Sequence, residues 1–498
     1  LAAGCARPPT PRNTLTYDAP TLRRPLFPAI ALPPAAFAAA VIAWTLALHV
    51  PDLGKRGGDD PFFIEVARLW LHGAPPYLSA FDVKPPGYFL LLALSELVFG
   101  PTQTAVNALT IVSEAGAALL LWRLGRQLGL ASAGAFAALA YPYLSQTLSN
   151  NPGYPPLALV TIGGYVLATG AGPWGRRALL SCLALGFAAT IKQSACLEAL
   201  PLLWLLGRER PADKPSLAPL LALAAAPLGF AMLFAAQGAF APFFADVVVT
   251  ALRRPGIEAE TAGDIVRHFV SLQKMVLPLT ALALFGLARL STLPMATGRA
   301  EALALWLGVS WAELLLQHAR WALYLGPTFA PLLLLSGAAI TAAFQAEGSR
   351  RLAMGFALIA TLVQVYPYRY WPLLGDVDAP VYRQAAEIVR ARAPLRDDRL
   401  LGVGLLETAE VNTDAGVAPP SRYFYWLHLA CDFPGAGPQR LREALESSPR
   451  FLVVATRPYH PYCEDPAVWP LVEATLASRY RRIGDAGKLV IYEREAAR

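Results

Sequence analysis

Apolar runs long enough to cross a hydrocarbon core about 30 Å thick recur through the first three quarters of this 498-residue sequence. They fall at roughly 29–50, 103–122, 128–147, 154–171, 216–238, 275–290, 300–316, 322–345 and 352–367. A longer stretch, 178–206, is interrupted by Lys192 and Gln193 and reads as two short spans meeting at the lysine. With no water in the bilayer core to satisfy backbone N–H and C=O groups, segments of this length have to be helices. The expected fold is a polytopic α-helical membrane protein with about eleven spans.

Charge follows the same division. Only 15% of residues are charged, against about 25% in soluble domains. From Asp376 onward, 33 of 123 residues are charged, whereas the first 375 hold 44. The chain therefore divides into a cytoplasmic tail over 1–28, a transmembrane domain over 29–370 and a soluble domain over 376–498. In the last, helices predicted at 379–392, 438–447 and 467–479 alternate with strands at 399–405, 450–456 and 487–493, a small α/β domain. The pI near 9.2 does not signal nucleic acid, because the cations come in small groups between apolar runs, as topology signals do.

Placing the N-terminus in the cytoplasm puts Arg123/Arg126, Arg176/Arg177, Arg208/Arg210/Lys214, Arg289/Arg299 and Arg350/Arg351 on one side. The soluble domain and the 51–100 loop then lie outside, which in a bacterial inner membrane is the periplasmic side. Lys84, Lys192 and Arg320 fall on the side that the rule leaves poor in cations, and an anionic ligand would account for them. Within the 51–100 loop, 62–72 and 86–99 are apolar but short, and are expected to lie along the outer interface as amphipathic helices.

That loop carries the densest chemistry. It reads Gly58-Asp59-Asp60-Pro61-Phe62-Phe63, then Tyr77, then Phe81-Asp82-Val83-Lys84-Pro85-Pro86-Gly87-Tyr88. An acidic pair before a proline also suits a plain helix start, and Lys84 also suits a lysine snorkelling to the interface. Lys192 is harder to explain structurally, since a lysine in an apolar stretch is costly and by default functional. Arg320 also suits a span anchor, and Tyr324 an interfacial belt. No HExxH, CxxC or phosphate-cradling glycine loop is present.

The acidic pair after the first span, with Lys-Pro-Pro about 25 residues on, resembles the protein O-mannosyltransferase family. This is glycosyltransferase family 39, which includes the bacterial aminoarabinose transferases of lipid A. Ala189-Thr190-Ile191-Lys192-Gln193 is similar to the family's turn between two short spans, and Arg320-Trp321-Ala322-Leu323-Tyr324-Leu325-Gly326-Pro327 to its basic-x-x-x-Tyr-x-x-Pro segment. The resemblance covers roughly 25–370, and an α/β tail is typical of bacterial members. Asp60 stands where the family has Glu, and Phe62/Phe63 stand for its tyrosines. Asn150-Asn151-Pro152-Gly153-Tyr154 occupies a position where members carry an acid.

The resemblance implies the GT-C membrane fold. It also implies inverting transfer of a monosaccharide from a polyprenyl-phosphate-linked donor to a hydroxyl of a lipid, glycan or protein acceptor. Asp59 and Asp60 would then be catalytic, Lys84, Lys192 and Arg320 would hold the donor phosphate, and Tyr88, Asn151 and Tyr324 would contact substrate. The chemistry is self-consistent: a sugar 1-phosphate already has a good leaving group, so a base for the acceptor hydroxyl and cations on the phosphate suffice. No cofactor is required, although a divalent ion at Asp59/Asp60 is compatible with the pair. The rival readings are a polyprenyl-linked glycan transporter or flippase, which would carry ionisable groups at the bilayer midplane, and a glycan ligase or polymerase. Finally, Cys431 and Cys463 are the two cysteines in the external domain and are expected to form a disulfide.

Overall fold

The computed structural model describes residues 33–53, 58–149, 151–211, 217–253, 261–292, 295–344, 379–404, 409–431, 435–456 and 467–495. The predicted apolar runs become helices. They are α1 (Pro34–His49), α4 (Gln103–Gln127), α5 (Ala131–Leu144), α6 (Tyr154–Thr169), α7 (Trp174–Ile191), α8 (Ala195–Arg208), α9 (Ala218–Ala236), α12 (Leu277–Ala288), α13 (Thr297–Leu316) and α14 (Phe329–Phe344). The two loop helices are α2 (Asp60–Leu71) and α3 (Pro86–Phe99), and a short α10 (Phe240–Phe244) follows α9. The predicted run at 352–367 lies outside the described residues.

Among the described residues three segments, Gln103–Gln127, Ala218–Ala236 and Ala322–Ala343, are long and apolar enough to cross a membrane unaided. A fourth is α11 (Ala262–Met275) taken together with α12, a pair bent by 91°. The other predicted spans within the described residues are shorter or more polar helices. Helix α11 lies between two of the predicted apolar runs, and a Thr261/Asp264 capping box starts it. In the bundle, α4 packs on α5 and α6, α6 on α7, α7 on α8 and α9, α8 on α13, and α14 on α5 and α12. On α9, Leu220, Leu221, Leu228, Met232 and Leu233 are exposed, an apolar outer face suited to lipid.

The C-terminal region holds a four-stranded sheet of order β1-β2-β4-β3, with β1 (Leu400–Val403), β2 (Phe451–Ala455), β3 (Tyr480–Ala486) and β4 (Leu489–Arg494). β1 and β2 run parallel, while β4 is antiparallel to both β2 and β3. The helices are α15 (Ala379–Arg390), α16 (Ala409–Ala415), α17 (Trp426–Ala430), α18 (Gly437–Glu446) and α19 (Val468–Arg479). β1 and β2 are buried throughout, as strands covered on both faces are.

One side of the sheet packs against α15 through Tyr382, Ala385, Ala386 and Val389. The other side, through Leu401, Val403, Leu452 and Val454, joins Phe424 and Trp426 in the same apolar core as Phe62 and Phe63 of α2. Helix α2 is therefore covered by protein along most of its length. α3 and α4 cover one side and α16 another, so that even Glu65 is buried, paired with Arg68 and accepting a hydrogen bond from Thr413 Oγ1 at 2.8 Å.

Candidate active site

Two close approaches assemble the site. Gly87 opens α3 against the last turn of α7, where a Cβ would stand 2.4 Å from Thr190 Oγ1 and 2.6 Å from the Thr190 carbonyl oxygen. Only glycine fits there, and its contact brings the Lys84 loop to the Lys192 turn. Gln193 reinforces the junction, donating from Nε2 to the Val83 carbonyl and, at 3.0 Å, to the Val247 carbonyl. Gly326 lies as close to Tyr154, whose Cδ1 is 2.7 Å from its ideal Cβ position, which seats the Ala322–Thr328 3₁₀ turn beside the start of α6.

The two acids occupy different environments. Asp60 is buried at the first turn of α2 and accepts a hydrogen bond from Gln103 Nε2 at 2.8 Å. Asp59 is half-buried and does not cap its own helix. Its Oδ1 instead accepts a hydrogen bond from the Tyr425 hydroxyl, in the C-terminal region. Tyr88, buried in α3, meets Phe63 edge-on at 5.3 Å. Burial pushes its phenol well up, and the carboxylates of Asp60, Glu96 and Asp59 add to the push. No described residue hydrogen-bonds the Tyr88 hydroxyl.

Lys84 is held by its backbone. Its N–H donates to Asp82 Oδ1 at 3.0 Å and its carbonyl accepts from the Tyr77 hydroxyl at 2.8 Å. Its Nζ lies 3.6 Å from Asp82 Oδ2 and 4.6 Å from the Phe63 ring centre. Lys192, in the non-helical turn between α7 and α8, donates to the Tyr154 hydroxyl. Its Nζ lies 3.9 Å from Glu313 Oε1 and 4.9 Å from the Tyr324 ring centre. Burial lowers its amine to about 8; the Glu313 carboxylate opposes that drop and the Lys84 charge adds to it. Two partly exposed cations thus stand near each other beside the acid-bearing helix.

Tyr324 packs on Lys192, as above. Asn151 opens α6, with Oδ1 accepting from the Gly153 N–H at 3.1 Å, and Gly153 in turn lies against Tyr88. Arg320 is exposed just ahead of the 3₁₀ turn. Cys431, after α17, is disulfide-bonded, while Cys463 lies outside the described residues. The sequence alone does not single out Asp82, Tyr154 and Tyr425 as site neighbours, nor Glu313, which is buried, accepts a hydrogen bond from Gln317 Nε2 at 2.8 Å and lies 3.9 Å from Lys192 Nζ. The Arg422-to-Trp426 aromatic run was the visible sign of Tyr425. Among the described residues no three His, Cys, Asp or Glu side chains come together to hold a metal ion.

No protein-family model matches the chain, and no curated protein matches it by sequence. Its shape does have solved counterparts. ArnT from Cupriavidus metallidurans, bound to undecaprenyl phosphate, aligns with a TM-score of 0.62 at 14% identity, over 93% of this chain and 98% of that one. The arabinofuranosyltransferase AftD from Mycobacteria aligns with a TM-score of 0.52 at 15% identity, over 93% of this chain but 40% of its own. The apo oligosaccharyltransferase of Archaeoglobus fulgidus gives 0.52 at 12% identity, over 85% of this chain and 69% of that one. At such identities the likeness is one of architecture: this chain has the GT-C fold of membrane glycosyltransferases.

Proposed function

We propose that this chain is a membrane glycosyltransferase that moves a monosaccharide from a polyprenyl-phosphate-linked donor to a hydroxyl of a lipid, glycan or protein, with inversion. The observation that carries the reading is the proximity of Lys84 and Lys192, brought about by the Gly87–Thr190 contact, with Lys84 lying over Phe63 of the helix that Asp59 and Asp60 open. The likeness to ArnT bound to undecaprenyl phosphate supports a lipid-phosphate donor.

In this reading the acceptor oxygen attacks the anomeric carbon as the bond from that carbon to the phosphate oxygen breaks. The acceptor proton passes to the Asp59 carboxylate. The charge left on the carrier phosphate is met by Lys84 and Lys192, with Arg320 proposed as a third cation. Asp59 suits the base better than Asp60, because Asp60 is buried and already hydrogen-bonded to Gln103. Tyr88, Asn151 and Tyr324 are assigned to substrate contact. The site and the C-terminal region are placed on the periplasmic side of a bacterial inner membrane, with domains over 1–28, 29–370 and 376–498.

The test is incubation of the purified protein with labelled polyprenyl-phosphate monosaccharides and candidate acceptors. Release of free carrier phosphate with label on the acceptor is expected. A donor left intact, or one merely moved across vesicles, would overturn the reading in favour of a glycan ligase or a flippase respectively.

A further inference from the structure

We infer that Tyr425 is a positioning residue for the Asp59 carboxylate, so that the C-terminal region completes the active site as well as covering it. The inference rests on the transferase reading above. Tyr425 is 2% exposed, its ring stacks on Phe62 at 4.5 Å and 24°, and its hydroxyl donates to Asp59 Oδ1. Three further tethers hold the segment that carries it or its neighbours. The Phe81 N–H donates to the Arg422 carbonyl at 2.8 Å, Arg422 pairs with Asp246, and Thr413 donates to Glu65 at 2.8 Å. The contact to Asp59 is one part of a docked surface built from both ends of the chain.

The chemistry gives that contact a purpose. Asp59 sits where a helix N-cap belongs, and an aspartate there normally turns its oxygen onto the free N–H groups of the first turn. A carboxylate occupied in that way is a poor base. The Tyr425 hydroxyl draws Oδ1 away from the helix and leaves Oδ2, which no described residue hydrogen-bonds, for the acceptor hydroxyl.

The experiment compares wild type, Tyr425→Phe, Asp59→Asn and Thr413→Val as full-length proteins, reading kcat and donor KM from carrier-phosphate release. Tyr425→Phe keeps the ring stacked on Phe62 and removes only the hydroxyl, so it should fold and elute like the wild type. Its kcat should fall roughly 10- to 100-fold with donor KM unchanged. Thr413→Val, which loosens the same docked surface elsewhere, should leave kcat close to the wild-type value. Loss of turnover in Asp59→Asn with wild-type kcat in Tyr425→Phe overturns the inference alone. Equal losses of kcat in Tyr425→Phe and Thr413→Val overturn it too, in favour of simple docking. Wild-type turnover in Asp59→Asn overturns the base assignment, and this inference with it.

Discussion

Gly87 and Thr190, 103 positions apart in sequence, touch so closely that the missing Cβ of Gly87 would stand 2.6 Å from the Thr190 carbonyl oxygen. A backbone oxygen cannot swing away as a side chain can, so any larger residue must push α3 off α7. Gly87→Ala should cost about 1–3 kcal/mol of stability and separate the Lys84 loop from the Lys192 turn. The expected result is a lower melting temperature together with weaker binding of polyprenyl phosphate. A melting temperature and affinity both equal to the wild type would show that the contact does not build the anion site.

The two acids should respond differently to loss of charge. Asp59→Asn removes the proposed base, and turnover should drop roughly 10²- to 10⁴-fold while donor affinity holds. Asp60→Asn leaves a group able to keep the Gln103 hydrogen bond, so its kcat should suffer less and any effect should appear in the melting temperature first. Single-turnover kinetics with titrated donor would separate the two. A reversed ranking would move the base assignment to Asp60.

Much of the architecture was legible because its signals are local. The break at Lys192, the helix over 86–99 and the helix–strand alternation of the tail all follow from periodicity, prolines and isolated charge, and the structure has them at or within a few residues of the expected positions. Strand β3 was not legible: Arg481 and Arg482 are exposed on an edge strand, where charge protects against further pairing and erases apolar alternation. Helices α16 and α17 are too short to show a period. The docking of the tail was hidden for another reason. Tyr425 and Asp59 are 366 residues apart, and nothing in either segment alone names its partner. The burial of Glu65 on α2 was hidden for the same reason, since part of its covering comes from that distant region.

The lowered amine of Lys192 sets a pH dependence. Burial places its proton loss at about 8, so the lysine is charged below that pH and neutral above it. Donor binding should therefore weaken as pH rises past about 8, with kcat/KM falling toward tenfold per pH unit. A bound phosphate favours the charged amine, so the limb should be displaced upward or absent in kcat, which reports the complex. Lys192→Arg keeps its charge throughout this range and should flatten the alkaline limb of kcat/KM. Retention of the wild-type limb in Lys192→Arg would assign it to another group.

The disulfide gives a prediction about the tail. Cys431 is disulfide-bonded and follows α17, the helix that begins one residue after Tyr425. Cys182 and Cys196 are free, and Cys463 is the expected partner from the sequence. The loop so closed holds about 30 residues, for which the chain-entropy picture gives roughly 3–4 kcal/mol of stabilisation. Non-reducing mass spectrometry of the purified protein should recover the Cys431 and Cys463 peptides joined. Cys463→Ser should lower the melting temperature of the tail and, because α17 is anchored beside Tyr425, reduce turnover without changing the alkaline limb of kcat/KM. Recovery of Cys463 as a free thiol would refute the pairing. A bridge that persists in protein from intact cells would place the tail in an oxidising compartment, and with it the docked face that carries Asp59.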